Sequence, residues 1–114
     1  MSPGTAVLII KALDGLTARS VATAVNIANA GTPNYRPLRV SFEAALKEAA
    51  QTGDDAVRQL KIESKPAIAG TPDAENRVDL ELATASSTAL RYEALLSIMD
   101  RQSQMESSVI KGGS

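Results

Sequence analysis

The stretch "NIANAGTPNYRP", residues 26–37, decides how this chain folds, because it marks the point where a long helical segment must end. Gly31 stands where the C-terminus of a helix favours a left-handed residue, and the residue before Pro33 is held in extended geometry. Pro33 presets the first central position of a turn, and Asn34 is one of the few residues other than glycine that tolerates a positive φ. We therefore predict a helix end and a tight turn, from which Tyr35 emerges as a fixed apolar anchor.

The residues before this stretch carry a helical pattern within an N-terminal segment, residues 1–30. Apolar and small side chains recur there every three or four positions, at Ala6, Ile9, Leu13, Leu16, Ser20, Ala24 and Ile27. Gly15 costs roughly 1 kcal/mol relative to alanine in a helix, so we expect a soft spot at that position. The pattern predicts one long amphipathic helix whose face becomes smaller toward its end and permits close approach of another helix.

A turn segment, residues 31–40, leads into a shorter amphipathic segment at 41–51. Ser41 is the predicted N-cap of this short helix, and its apolar face consists of Phe42, Ala45, Leu46 and Ala49. Residues 52–77 have no sustained period, although "VRQLKIE" within them alternates briefly in the manner of a strand. We expect a variable loop or a small hairpin there.

A second long helix is predicted at residues 78–111. Its apolar stripe consists of Leu82, Ala83, Leu90, Ala94, Leu95, Ile98, Met99, Met105 and Val109. At 1.5 Å per residue this helix is roughly 50 Å long, and a first helix of roughly 40 Å with a short middle helix is too small to cover it. We therefore predict that another subunit covers part of the stripe.

The composition suits one small domain, residues 1–114, that gains stability by assembly. Hydrophobic residues make up 44% of the chain but aromatic residues only 3%, so each buried side chain removes little apolar area from water. The net charge is −1 with both signs mixed along the chain, which argues against a nucleic-acid partner or an anionic membrane surface. The run "AVLII" is too short for a membrane span and lacks the flanks of a signal peptide, so export would need another route.

The chain has no histidine and no cysteine, the commonest catalytic and metal-binding side chains. We accordingly predict no enzyme, no cofactor, no metal site and no small-molecule substrate. The acidic cluster of Asp73, Glu75, Asp79 and Glu81 flanks a predicted helix start, where we interpret it as capping and solubility rather than a cation site. Tyr92 is either a half-buried helical residue or a binding hot spot, and the sequence leaves both open.

Three segments of the chain resemble the flagellar axial proteins, the rod and hook family. Residues 26–37, followed by "FEAALKEA", are similar to that family's signature pattern, A-N-N-I-A-N-x-x-T-P-G-Y. "NRVDLELA" at 76–83 and "LRYEALLSIMDRQSQMESSVIKGG" at 90–113 are similar to the C-terminal region of its proximal rod proteins. The positions that match the signature are Asn26, Ile27, Asn29, Thr32, Pro33 and Tyr35. Asn34 departs from it, since most relatives have glycine there.

The resemblance implies a structural subunit of the proximal rod of the bacterial flagellum, which transmits torque from the membrane ring to the distal rod and hook. The implied fold is all-α, with two long antiparallel terminal helices in a coiled-coil-like layer. The implied location is the periplasmic rod of the basal body, reached by type III export without a cleavable signal peptide. Implied partners are copies of the chain, other axial and rod proteins, membrane-ring and export-gate proteins, and a rod-ring adaptor protein.

The expected assembly interface joins motif residues to apolar positions of both long helices. It comprises Leu13, Leu16, Ala24, Asn26, Ile27, Asn29, Thr32, Pro33, Tyr35, Phe42, Leu90, Tyr92, Leu95, Ile98 and Met105. Two other readings stay open. The chain is compatible with another flagellar rod protein, or with a small helical adaptor or chaperone of a secretion system, since such proteins are also helical, acidic and free of cysteine.

Overall fold

The computed structural model describes the backbone of residues 1–112 and the side chains of residues 1–109. Two long helices, α1 (Pro3–Ala28) and α4 (Val78–Gly112), lie antiparallel against each other. The N-terminal amino group contacts Glu106 near the end of α4, and Asn26 at the end of α1 contacts Glu81 near its beginning. The expected all-α fold is confirmed, in a molecule that measures 64 × 28 × 15 Å.

Hydrogen bonds from its flanking residues cap helix α1 at both ends. Oγ of Ser2 accepts a hydrogen bond from the N–H of Thr5 at 3.1 Å, which caps the N-terminus. At the other end, the N–H of Asn29 donates to the carbonyls of Val25 and Asn26. The prediction that Gly31 closes the helix in a left-handed conformation is wrong, because the positive φ, 61°, belongs to Asn34.

The turn at Pro33 and Asn34 forms as the sequence predicts. The N–H of Tyr35 donates to the carbonyl of Thr32 at 3.3 Å, and Asn34 supplies the positive φ that a type II turn requires at its third position. The long helix therefore ends at Ala28, where Asn29 and Ala30 donate to the carbonyls of Val25, Asn26 and Ile27, and the chain reverses a few residues later.

The segment after the turn contains more regular structure than the sequence indicates. Strand β1 (Leu38–Val40) is followed by α2 (Glu43–Thr52) and α3 (Asp54–Gln59), which meet at Gly53, whose φ is 145°. Ser41 is not the N-cap of α2, since Phe42 holds that position without a side-chain hydrogen bond. The carboxylate of Glu43 instead accepts from the N–H of Phe42 at 3.3 Å.

The predicted strand in "VRQLKIE" is also wrong, because its first three residues belong to α3. Strand β2 (Ser64–Pro66) begins after it and pairs antiparallel with β1, with Leu38 opposite Pro66. Instead of a local hairpin, the chain therefore forms a sheet of two short strands that lie far apart in the sequence. A 3₁₀ turn at Pro72–Ala74 then leads into α4. Within residues 1–112 no helix is both long and apolar enough to cross a membrane.

Helix α4 places a strict heptad of positions against α1. Its buried and half-buried residues are Glu81, Ala85, Thr88, Tyr92, Leu95, Met99 and Gln102, spaced four and three residues apart. Most of the predicted stripe lies elsewhere, since Leu82, Ala83, Leu90, Ala94, Ile98, Met105 and Val109 are exposed. The sequence predicts that α1 is too short to cover α4. The contact between the N-terminus and Glu106 shows instead that α1 runs along nearly all of α4, so what stays uncovered is one flank of α4.

The core lies where α1, α2, α3 and β1 meet. Its buried apolar members are Leu16, Ala22, Val40, Phe42, Leu46 and Val57, with Tyr92 and Leu95 of α4 packed against them. Gly15 makes this packing possible, because a Cβ at that position would lie 2.5 Å from Cε1 of Phe42. The glycine that the sequence marks as a soft spot is therefore a buried contact position.

Candidate functional site

The side chain of Asn26 lies where a third strand would pair with β1. Asn26 is 0% exposed, its Oδ1 accepts from the N–H of Leu38 at 2.7 Å, and its Nδ2 donates to the carbonyl of Leu38 at 3.0 Å. Leu38 faces Pro66 across the sheet at a position whose amide and carbonyl point away from β2. The carboxamide therefore satisfies the open edge of β1 and attaches the end of α1 to it.

Three further side chains complete the environment of Asn26. The hydroxyl of Tyr35 donates to Oδ1 at 2.7 Å, and Nδ2 donates to Oε2 of Glu81 at 3.2 Å. Nδ2 of Asn76 donates to the backbone carbonyl of Asn26 at 2.9 Å. The tyrosine of the motif is thus held inside its own chain through its hydroxyl, and the signature segment is connected to the start of α4.

Glu81 is a buried carboxylate with a matching cation. It is 2% exposed, and Oε1 forms an ion pair with the guanidinium of Arg39. Arg39 also donates to the carbonyls of Asp73 and Glu75 at 3.0 and 3.1 Å. The interpretation of the acidic cluster as capping and solubility is therefore wrong for Glu81, whose carboxylate stays buried only because it is paired and hydrogen-bonded.

Asn26, Tyr35, Arg39, Asn76 and Glu81 together form what we name the turn network. Each polar atom of the Asn26 side chain has two partners within the network or on β1. Among residues 1–112 no group of three or more acidic, histidine or cysteine side chains is arranged to hold a metal ion. The geometry of the network fixes α1, β1 and α4 in one relative position.

A second tie joins α1, α2 and α4 through Glu43. Arg19 donates to both carboxylate oxygens of Glu43 at 2.7 Å and to the carbonyl of Val40. The hydrogen bond from Arg19 is the main reason that the pKa of Glu43 is lowered to about 2. The guanidinium of Arg19 also lies 5.0 Å from the centroid of the Phe42 ring, and Nη1 of Arg91 lies 3.7 Å from Oε2 of Glu43.

An open apolar groove of about 710 Å³ lies beside this tie, between α2 and α4 with α1 as its floor. We name it the α2–α4 groove. Most of its lining is apolar, namely Leu8, Ala12, Leu16, Phe42, Leu46, Ala50, Ala94 and Leu95. Lys47 of α2 and Arg91 of α4 stand among these side chains. Glu43 lines the groove as well, so the groove offers an apolar floor and a charged border with a net charge of +1 from Glu43, Lys47 and Arg91.

One flank of α4, beside the face that packs against α1, carries large apolar side chains in contact with solvent. We name this flank the outer stripe and define it by Leu80, Ala83, Leu90, Ala94, Ile98, Met105 and Val109. Leu90 is 67% exposed and Val109 is 74% exposed. Ala94 also lines the α2–α4 groove, so stripe and groove form one continuous surface. A continuous row of large exposed apolar side chains is typical of an interaction site.

The structure separates the expected interface residues into three groups. Leu16, Asn26 and Phe42 are buried within the chain, although Leu16 and Phe42 also line the α2–α4 groove. The half-buried group comprises Leu13, Ile27, Asn29, Tyr35, Tyr92 and Leu95, and the exposed group comprises Ala24, Thr32, Pro33, Leu90, Ile98 and Met105. Asn29 has a local role, since its Nδ2 donates to the carbonyl of Val25 at 2.9 Å.

Sequence reasoning missed the charged members of the site. Arg39 and Glu81 are 42 positions apart, and no local pattern connects them. One signal was present for Glu81, because it lies fourteen residues before Leu95, which is two heptads on the same face. Comparison of the chain with models of protein families gives no match, and comparison with curated proteins gives none either.

Proposed function

We propose that this chain is a structural subunit of the bacterial flagellar rod, a proximal rod protein of the FlgB type. The observation that carries the proposal is the stretch at 26–37, which resembles the family signature and forms the network that joins both terminal helices. Its matching residues Asn26 and Tyr35 bond directly to each other at 2.7 Å. The proposed function is transmission of torque from the membrane ring to the distal rod and hook.

Two features support a mechanical role. The turn network and the Arg19–Glu43 tie each connect separate elements through several hydrogen bonds, which resists shear between α1 and α4. The outer stripe leaves apolar surface for contacts with copies of the chain and with other axial proteins. Membrane-ring proteins, export-gate proteins and a rod-ring adaptor complete the proposed set of partners, in a periplasmic rod reached by type III export.

A second candidate function is a small helical adaptor or chaperone of a secretion system. The α2–α4 groove favours it, because an apolar groove of about 710 Å³ between helices is the kind of site that receives an amphipathic helix. Another rod protein of the same family remains the alternative within the first class. The short segment between Thr52 and Val78 favours the proximal rod, since relatives farther along the axis usually carry inserted β-domains.

Locating the chain in purified basal bodies tests the proposal. A short tag inserted at the exposed residues 68–70 allows the protein to be detected without a change in either long helix. We expect the tag in the rod, next to the membrane ring, and loss of swimming when the gene is deleted. Basal bodies that lack the tag, from cells that swim normally after deletion, would contradict the rod assignment. Recovery of the chain in a soluble complex with a secretion substrate would favour the adaptor.

A further inference from the structure

The α2–α4 groove continues along α4 toward the beginning of that helix. A second depression, lined by Leu80, Ala83 and Ser87, shares both Glu43 and Arg91 with the groove. The two depressions therefore form one track along the same flank of α4, from Leu80 to the groove itself. One end of the track presents a large exposed side chain, and the other end is a cavity.

The sizes of the side chains along this track are self-complementary. Leu80 is 54% exposed at one end, while Ala94 lines the open groove at the other. Ser87 lies seven residues from each of them, and Ala83 and Ser87 are small enough to let two helices approach closely. A second copy that lies antiparallel along α4, centred on Ser87, would place Leu80 of each copy opposite Ala94 of the other.

The distribution of charge along α4 favours the same antiparallel orientation of the second copy. Asp73, Glu75 and Asp79 are exposed around the beginning of α4, and with Arg77 they give this end a net charge of −2, three negative charges against one positive. The groove at the other end carries Lys47 and Glu43 of α2 and Arg91 of α4, two positive charges against one negative, which gives it a net charge of +1. An antiparallel copy brings the acidic end to the cationic groove twice, whereas a parallel copy in register would bring Arg91 against its own equivalent.

We propose that the free chain forms a closed antiparallel dimer through α4, in which the beginning of α4 from each copy occupies the α2–α4 groove of the other. The contact is isologous, so it ends at two copies. The two α4 helices overlap from about residue 78 to about residue 96, a contact of roughly 28 Å. This inference goes beyond the proposed function, because it concerns the chain before it enters any larger assembly.

The absence of cysteine from the sequence gives a direct test. In the dimer the two Ser87 side chains face each other across the two-fold axis, so the Ser87→Cys chain should form a disulfide-linked dimer under mild oxidation. The matched control is Ala89→Cys, which is exposed on the other flank of the same helix turn. We expect at least about tenfold more cross-linked product from position 87 than from position 89 in dilute solution. Equal amounts from both positions would overturn the proposal.

Sedimentation of the unmodified chain provides a second, independent measurement. We expect a concentration-dependent dimer, with a Kd that rises by about tenfold or more in both Leu80→Asp and Arg91→Glu. Circular dichroism should show unchanged helix content in both variants, because both side chains are largely exposed. A monomer at every concentration would overturn the proposal. A monomer whose groove is filled by a helical peptide from another protein would overturn it as well. The basal-body experiment is unaffected by either result, so the two proposals can fail separately.

Discussion

The carboxamide of Asn26 satisfies a backbone edge that no strand covers. Without it, the N–H and carbonyl of Leu38 would lose their partners at the end of α1, and a polar group buried without a hydrogen bond costs roughly 1–3 kcal/mol. The two polar atoms of this amide have different functions. Oδ1 accepts from Tyr35 and Leu38, whereas Nδ2 donates to Leu38 and Glu81. Only asparagine offers an acceptor and a two-proton donor at this length.

Asn26→Asp should destabilise the fold although it keeps the shape of the side chain. The substitution replaces Nδ2 by an oxygen that faces the carbonyl of Leu38 and the carboxylate of Glu81. Two hydrogen bonds are lost, and a second negative charge is placed beside a buried one. We expect the free energy of unfolding to fall by about 3 kcal/mol or more, measured by urea denaturation at neutral pH.

The matched control is Asn34→Asp in the adjacent turn. Asn34 is exposed and has a φ of 61°, a conformation that aspartate also tolerates. We expect a change within about 0.5 kcal/mol there. Equal losses from both substitutions would mean that the turn network does not depend on the amide nitrogen of Asn26.

Glu43 should make stability depend on pH in the acid range. Its pKa is lowered from 4.5 to about 2, chiefly by the hydrogen bond from Arg19, so the folded chain binds this proton less readily than the unfolded chain. The stabilisation is therefore complete above about pH 4.5 and is lost as pH falls toward 2. The side chain is 52% exposed, and solvent screening reduces the effect to about 1 kcal/mol.

Urea denaturation at pH 6 and pH 3 measures this contribution. The wild-type chain should lose about 1 kcal/mol more than Glu43→Gln between the two pH values. Glu48→Gln, an exposed substitution on the same helix, should lose as much stability between the two pH values as the wild-type chain. If the wild-type chain instead loses only as much as Glu43→Gln, the ion pair with Arg19 adds nothing to stability.

Single residues can be predicted from the sequence only where local chemistry decides their conformation. The positive φ of Asn34 is predictable, because turn geometry is a local property. Tyr35 is fixed as the sequence predicts but not as an apolar anchor, since its hydroxyl donates to Oδ1 of Asn26. The partners of the network are not predictable, since Arg39 meets Glu81 only after the chain has reversed at the turn and returned in α4. Long-range pairs of this kind have no spacing that a sequence pattern reveals.

Within helix α1, one glycine determines how closely α2 can approach. The Phe42 ring lies against Gly15, and a Cβ at Gly15 would lie within 2.6 Å of three atoms of that ring. The ring is 5% exposed and belongs to the core, so it has little room to move. The contact therefore outweighs the cost of glycine in a helix interior.

Gly15→Ala should destabilise the chain even though alanine is the better helix former. Helix propensity favours the substitution by roughly 1 kcal/mol, whereas overpacking against Phe42 costs about 1–3 kcal/mol. We expect a net loss of about 1 kcal/mol in urea denaturation. A second substitution, Phe42→Leu, should cost less in the Gly15→Ala background than in the wild-type chain, because the shorter side chain makes room for the methyl group.

Gly4→Ala is the control on the same helix. The three atoms nearest to a Cβ there belong to the carboxyl group of Asp54, an exposed and flexible side chain, and the closest is at 2.9 Å. We expect unchanged or slightly higher stability from this substitution. Stabilisation by Gly15→Ala to the same degree would show that Phe42 adjusts freely and that our account of the core is incorrect.

The elements that the sequence predicts correctly are those with a long hydrophobic period. Both terminal helices are predicted within two or three residues of their ends, because 26 and 35 residues give the period many repeats. Strand β1 and helix α3 are missed. A strand of three residues contains no measurable alternation, and β1 exists because Leu38 meets Pro66 far along the chain. Short elements of this kind depend on tertiary contacts rather than on propensity.

For the molecule as a whole, α4 places several polar residues inward among its apolar contacts and several large apolar residues outward. Glu81 and Thr88 occupy heptad positions against α1, whereas Leu90 and Ile98 are 67% and 48% exposed. The sequence predicts a single wide apolar stripe on α4 that contacts two neighbours. In the structure the apolar residues of α4 are divided between a face that packs against α1 and the outer stripe. A chain that places its larger side chains outside the core is suited to assembly.

Ile98→Asp should separate folding from assembly. Ile98 is 48% exposed in the single chain, so a carboxylate at this position remains hydrated and should change the free energy of unfolding by less than about 1 kcal/mol. In an assembly that covers the outer stripe, the same carboxylate would be buried without a partner, at a cost of several kcal/mol in every copy. We expect a folded and secreted chain that builds no rod, measured by denaturation, analysis of secreted fractions and imaging of basal bodies.

Two neighbouring positions make this prediction specific. Ser103→Asp is exposed and lies five residues after Ile98, about 140° around the helix and outside the outer stripe, so it should support normal rods and normal swimming. Leu95→Asp introduces a charge into the half-buried face that packs against the core, and it should lower the stability of the single chain itself by about 3 kcal/mol. If Ile98→Asp cells assemble rods and swim like Ser103→Asp cells, the outer stripe faces solvent in the finished structure, and burial of this flank cannot be what holds the subunits together.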